Sequence, residues 1–228
     1  MYYSQAGEDK FLYENIFSKS DKFPKTYIEM GAIDGVKYSN TKFFEDHHGW
    51  TGILIEPNPV MFKSLKRNRP NNYLSDSIVS DSLHEVEFSY FDSENLAAVS
   101  GVTSTLTRHN KTNFFENDDI WFKEMRKSHL ITVKKKPITL DQIIIDSEMT
   151  EFGFCSLDVE GHELNVLNSY SFDYEIMFFL IEVNPNSNEI TKLMIEKDYS
   201  FLGHVAHNQL FAINSLIEKN TFLNEYKK

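Results

Sequence analysis

Apolar residues Tyr27, Ile28 and Met30 form a short run, glycines at 31 and 35 interrupt it, and Phe43 with Phe44 resume it at helical spacing. This predicts a buried strand, a flexible loop, and a helix beginning near Asn40 and closed by Gly49. The same alternation returns along the chain. Residues 50–56 read as a second strand, and residues 59–68 as a helix burying Met61, Phe62 and Leu65. Residues 73–79, 86–91 and 130–133 read as further strands. Thr139 caps a helix bearing Leu140, Ile143 and Ile144; a strand over 152–158 and a helix over 160–167 follow. A strand over 176–182, a helix over 188–196 and an antiparallel hairpin from 199–202 and 210–213 close the chain. An amphipathic helix over 4–17 opens it, with Glu8 and Asp9 at the end where acids favour the helix dipole. Strands alternating with helices predict an α/β fold, a mostly parallel central sheet with helices on both faces.

The pattern fails between residues 92 and 128. Gly101, a Ser/Thr-rich piece at 103–107 and the aromatics Phe114, Phe115, Trp121 and Phe122 lie there in polar surroundings. Long irregular segments in compact domains are commonly functional loops, so this one is expected to cover a substrate. With no internal repeat or linker, residues 1–228 read as a single domain.

A net charge of −11 and a pI near 5.2 argue against a nucleic-acid or anionic-membrane surface, since phosphates attract Lys and Arg. Lys63, Lys66, Arg67 and Arg69 read as one solvated helix face. The single cysteine, Cys155, excludes an internal disulfide and sits in an apolar strand as a core residue. No basic region followed by an apolar run opens the chain, and no apolar run is long enough to span a bilayer. The expectation is a soluble, cytoplasmic protein.

The chemistry gathers where strands end. A strand, glycine loop and helix form the ligand-gripping element of open α/β sheets, where ligands lie beyond the carboxyl ends of parallel strands. Here the loop carries Glu29 and Asp34, which a pyrophosphate would disfavour, so a cationic or amine-bearing ligand fits better. Glu56 ends the next strand about twenty residues on, the spacing at which an acid holds ribose hydroxyls in this architecture. Ile78 and Val79 would flank an adenine ring. Asp158, Glu160, His162 and Glu163 converge at the end of a later strand, and Glu182 with Asn184 at the end of its neighbour. Asp, Glu and Asn offer the hard oxygens that Mg2+ or Mn2+ takes.

Several of these stretches recur together in one family. Ser4-Gln5-x-Gly7-Glu8-Asp9, Ile28-Glu-Met-Gly-Ala-Ile-Asp-Gly35 with Ser39-Asn40-Thr41, Trp50-x-Gly52-x-x-Ile55-Glu56-Pro57-Asn58, Leu140-Asp141, Leu157-Asp-Val-Glu-Gly-His-Glu163 and Ile181-Glu182 resemble the FkbM family of S-adenosylmethionine-dependent methyltransferases. The resemblance runs in order from residue 4 to about 185. It implies a Rossmann-like class I methyltransferase fold and methyl transfer to an oxygen, often a hydroxyl of a sugar or polyketide-type product. It further implies that Glu29, Gly31 and Asp34 frame the methionine part of the cofactor, with Gln5, Ala32, Gly35, Ser39 and Asn40 also among the cofactor-binding residues. Glu56 and Pro57 would hold its ribose, Ser77 and Ile78 its adenine, and Asp158 would face the transferred methyl.

A sugar hydroxyl is a poor nucleophile at neutral pH and needs a base or a metal ion. Asp158 is the first candidate for the base, with His162 as the alternative and Glu160 beside them. Asp158, Glu182 and Asn184 are the candidate ligands if a divalent ion takes part. The acceptor is expected to be a sugar or oligosaccharide. A nicotinamide-dependent oxidoreductase or epimerase on the same fold is the first rival, and the missing third glycine of the dinucleotide fingerprint weighs against it. A binding module without turnover, serving a glycan-building complex, is the second.

Overall fold

Gly31 follows the strand that lies third in the seven-stranded sheet. In the computed structural model, which describes residues 1–96, 98–106 and 128–226, this strand is β1 (Thr26–Met30). It pairs in parallel with β2 (Thr51–Ile55) on one side and β7 (Glu151–Leu157) on the other. Outward from β2 lies β3 (Tyr73–Ser75); outward from β7 lie β8 (Glu175–Glu182), β10 (Asn208–Ile213) and β9 (Tyr199–Val205). The resulting seven-stranded sheet runs β3-β2-β1-β7-β8-β10-β9, and β10 alone opposes the direction of the rest. The strand order reverses between β1 and β7. Ligands settle at such switch points in open α/β sheets.

Burial explains the sequence pattern. Tyr27, Ile28, Ile53, Leu54, Phe154, Cys155, Phe178 and Phe179 are fully buried, because helices cover both faces of a mainly parallel sheet. Helices among the described residues include α1 (Glu8–Asn15), α2 (Lys42–His48), α3 (Pro59–Asn68), α4 (Leu140–Ser147), α5 (Glu163–Asn168), α6 (Ser187–Glu196) and α7 (Asn214–Lys219). Two caps follow the expected chemistry: Asn58 accepts from the Val60 N–H, and Thr139 from the Gln142 N–H. Gly49 takes the left-handed conformation that ends α2.

Several expectations need correction. The strand foreseen over 73–79 stops at Ser75, and Val79 keeps only an isolated bridge to Ile138. The helix foreseen over 4–17 begins at Glu8, because Asp9 accepts bonds from the Tyr3 and Ser4 amides and the Ser4 hydroxyl and pins that segment as a turn. Strand β4 (Val86–Phe91) does not join the main sheet. It is the middle of a three-stranded antiparallel sheet, with β5 (Gly101–Val102) and β6 (Leu130–Lys135) on its flanks. Its alternation had one apolar face to bury, and Phe88 and Tyr90 bury it with Val102 and Ile78. The region foreseen as patternless therefore contributes a strand. Phe114, Phe115, Trp121 and Phe122, on which the covering role was drawn, lie outside the described residues. No helix among the described residues is long and apolar enough to cross a membrane.

Candidate active site

A cavity of about 450 Å³ opens at the carboxyl ends of the parallel strands, within the range of small-molecule sites. Glu29, Met30 and Gly31 reach it from β1, Ile55, Glu56 and Pro57 from β2, and Ser77, Ile78 and Val79 from the segment after β3. Asp158, Val159, Glu160 and His162 come from the turn after β7, and Glu182 from the end of β8. Phe88 and residues 98–102 of the small sheet form a further wall.

Gly31 shows how tightly the floor is built. Its φ is +79°, and a β-carbon there would stand 2.0 Å from the Asp158 carbonyl oxygen. Only glycine lets β1 turn this close to the β7 loop. The Gly31 and Ala32 amides both donate to the Ile55 carbonyl, and the Asp158 amide donates to that of Met30, so the three strand ends are sewn together.

Glu56 is the best-isolated acid of the cavity wall. Its carboxylate accepts from the amides of Ile33 and Asn58, each at 2.8 Å. Burial nevertheless pushes its pKa up to about 7, against two backbone bonds that favour the charge. A folded-state pKa above the ordinary 4.5 means that the protonated form is favoured by folding. The contribution of Glu56 to stability is complete below pH 4.5 and lost as pH rises through 7. His162 has the opposite sign: burial lowers it to about 4, so its contribution is present above 6.5 and lost as pH falls through 4. Between pH 4.5 and 6.5 these two losses nearly cancel, so the Glu56 contribution is read by difference: Glu56→Gln should gain roughly 1–3 kcal/mol on the wild type as pH rises from 4.5 to 7. Urea midpoints of the two proteins measured across that range should show the variant gaining, and a pH-independent difference would mean that Glu56 keeps an ordinary pKa in the folded protein.

Around Asp158 the acids crowd. One carboxylate oxygen from each of Asp158, Glu163 and Glu182 lies within 4.8 Å of the others. Asp158 faces the open cavity, although protein surrounds it on its other sides. Burial raises its pKa, a hydrogen bond from Glu182 lowers it, and the charges of Glu8 and Glu29 raise it again. For Glu182, burial comes first, then repulsion from Asp158, Glu160 and Glu163, all upward. Glu182 is therefore the protonated partner, donating to an Asp158 carboxylate. Glu160 is also raised, by burial and then by Asp158 and Glu163. Glu163 is fully buried and serves the turn itself: its Oε1 accepts from the Val159 and Gly161 amides, and its Oε2 from the Asn184 side chain.

The structure redistributes several expected roles. His162 is 5% exposed, with Nε2 3.0 Å from Ser80 Oγ and Nδ1 3.3 Å from Thr105 Oγ1. Both ring nitrogens face protein hydroxyls, which leaves neither open to an acceptor and removes His162 as the alternative base. Asn184 is not among the gathered oxygens; it reaches them only through Glu163. Ala32, Asp34, Gly35 and Ser39 are not on the cavity wall. Asp34 caps its own turn by accepting from the Val36 and Lys37 amides, and Ser39 donates to Glu29. Glu29 lines the cavity, yet its oxygens also accept from the Asn40 amide and the hydroxyls of Ser39 and Thr41. Gln5, Asn40, Pro57, Ser77 and Ile78 stand on the wall as expected.

Among the wall positions that escaped the sequence reading are Glu8, Asn208 and His207. Glu8, read as a dipole cap, lines the cavity, and Asn208 lies 3.4 Å from it at the start of β10. Its place beside Gln5 in a motif was the available signal. For Asn208, and for His207 next to it, none existed. Arg69 was read as solvated, but it is fully buried beneath the glycine loop. Burial would weaken its charge; Tyr27, Glu29 and Glu45 outweigh that and hold its pKa above the ordinary value.

A model of the FkbM methyltransferase domain matches residues 29–222. The chain belongs to the FkbM methyltransferase family. It is thus a methyltransferase, and the seven-stranded sheet with one antiparallel strand near its edge is the Rossmann-like fold that the motifs implied. No curated protein and no solved structure matches the chain. In this family member the motif acids Glu29, Glu56, Asp158 and Glu182 all meet at one cavity.

Proposed function

We propose that this FkbM methyltransferase uses S-adenosylmethionine to methylate an oxygen, a hydroxyl of a sugar or glycan, with Asp158 as the general base. The observation that carries the reading is Asp158 itself, a carboxylate facing the cavity at the β1/β7 switch point against Gly31. The cavity suits the cofactor in charge. Its described lining contains no Lys or Arg, which disfavours a pyrophosphate and so the nicotinamide rival, while its carboxylates favour a sulfonium and an ammonium. Asn40 Oδ1 is buried with no hydrogen-bond partner, an acceptor suited to the methionine ammonium. Glu56 suits the ribose hydroxyls, and Ile78 and Val79 an adenine face.

When bound, the cofactor supplies an electrophilic methyl group and takes up the electron pair of the broken carbon–sulfur bond. The protein's part is to align the acceptor and receive its proton. Asp158 takes that proton as the oxygen lone pair goes to the methyl carbon, leaving a methyl ether. Its raised pKa makes it a better base than an ordinary aspartate near neutral pH. Glu182, donating to the same carboxylate, orients it.

A divalent ion fits less well. Three oxygens within 4.8 Å are compact enough for one, but Glu163 already accepts three N–H bonds. We therefore derive no step through a metal. Labelled S-adenosylmethionine incubated with a panel of sugars and oligosaccharides, with and without chelator, tests the reading. Label should appear in a methyl ether at an unchanged rate with chelator. Loss of rate with chelator, restored by Mg2+ or Mn2+, would replace base catalysis by metal assistance. Binding of the cofactor without transfer to any acceptor would point to a module lacking turnover.

A further inference from the structure

Arg69 sits just past α3, yet its side chain runs inward and is 0% exposed. An unpaired guanidinium in such a place would be prohibitively unfavourable, so its partners decide its purpose. Nη1 donates to the Gly35 carbonyl at 2.8 Å and to Ser39 Oγ at 3.3 Å. Nη2 donates to the Tyr27 hydroxyl at 2.7 Å and to Thr41 Oγ1 at 3.0 Å. Nε pairs with Glu45 of α2, and Nη1 stands 3.8 Å from Glu29 Oε2. One planar fork thus grips β1, both ends of the glycine loop and the helix beyond it. No lysine could reach these acceptors together.

The grip leads to the cavity by one route. Glu29, set between Arg69 and the Ser39 and Thr41 hydroxyls, accepts the Asn40 amide at 2.6 Å. That bond fixes the backbone of Asn40, whose Nδ2 donates to Ser156 Oγ at 2.9 Å across the switch point. Its Oδ1 is the buried acceptor left over on the cavity wall. Gly35 meets Arg69 just as closely: a β-carbon there would lie 2.5 Å from Arg69 Cγ.

We infer that Arg69 is a positioning residue for the cofactor: through Glu29 it sets Asn40, and Asn40 makes the contact. The inference rests on the cofactor reading above. A purely structural Arg69 would act on the folded fraction whatever residue stands at 40, whereas a positioning Arg69 acts only through Asn40. A double-mutant cycle separates these. Calorimetric titration of the full chain with S-adenosylhomocysteine should show about tenfold weaker binding for Arg69→Lys and about tenfold for Asn40→Ala. The double variant should lose about ten- to twentyfold, not the hundredfold of independent effects. Hundredfold loss, or unchanged affinity in Arg69→Lys, overturns the inference. If Arg69→Lys does not fold by circular dichroism, Thr41→Val replaces it in the cycle under the same criteria, since it removes one Arg69 acceptor and one Glu29 donor while keeping the charges. Wild-type protein that binds neither S-adenosylhomocysteine nor S-adenosylmethionine overturns the cofactor reading and this inference together. Binding with an additive cycle removes only this one.

Discussion

Asp158→Asn is expected to reduce methyl transfer by about 10²–10⁴-fold while leaving cofactor affinity within a few-fold of wild type. The substitution is nearly isosteric, and the new amide oxygen can still accept the hydrogen bond from Glu182. The Asp158 backbone, bonded to Met30 and packed on Gly31, is untouched, so the floor of the cavity should keep its shape. What disappears is the only function an amide cannot supply, taking a proton from the acceptor. Single-turnover rates with labelled methyl donor, set beside calorimetric affinities, separate the two effects. Full turnover in Asp158→Asn would remove Asp158 as the base, and a large loss of cofactor affinity would mean that its charge holds the donor instead.

Gly31→Ala should cost about 3–5 kcal/mol. Two costs act at once. An L-residue at φ +79° is strained, and its methyl carbon would lie 2.0 Å from the Asp158 carbonyl. That oxygen belongs to the backbone at the end of β7, which cannot swing aside as a side chain can. Relief requires parting β1 from β7 at their shared end, where the Asp158 amide bonds to Met30. Urea unfolding should show a lower midpoint with an unchanged slope, and cofactor binding should fail even where the protein is folded. A loss below about 1 kcal/mol would show that the two loops separate freely, which would undo the picture of a rigid floor.

Some of this was written plainly in the chain. The run of Ile53, Leu54 and Ile55 announced a buried strand, so an acid directly after it had to emerge at the sheet's carboxyl edge, and Glu56 does. Asp158 follows the same logic after β7. Where the sequence misled, the deciding contacts were distant. Arg69 follows three basic residues at surface spacing, and nothing local separates it from Lys66 or Arg67; its partners lie 24 to 42 residues away. The alternation of β4 was visible, but its partners β5 and β6 flank it across a polar stretch that hid the second sheet. Asn184 and His162 were judged by residue type. The Asn186 amide then occupies the Asn184 oxygen that a metal would have used, and Ser80 and Thr105 face the ring nitrogens of His162.

Strand β10 enters the sheet between β8 and β9, so β8 has no neighbour on that side until the final hairpin exists. Phe178, Phe179, Leu180 and Ile181 wait along that margin throughout synthesis. Residues 199–213 must be made before this apolar ribbon is covered, and an interrupted product ending before residue 208 would present it to any other nascent strand. The same hairpin also carries Asn208 to Glu8, joining α1 to β10 over the cavity. Completion of the catalytic chamber and protection from clumping thus arrive in the same late event.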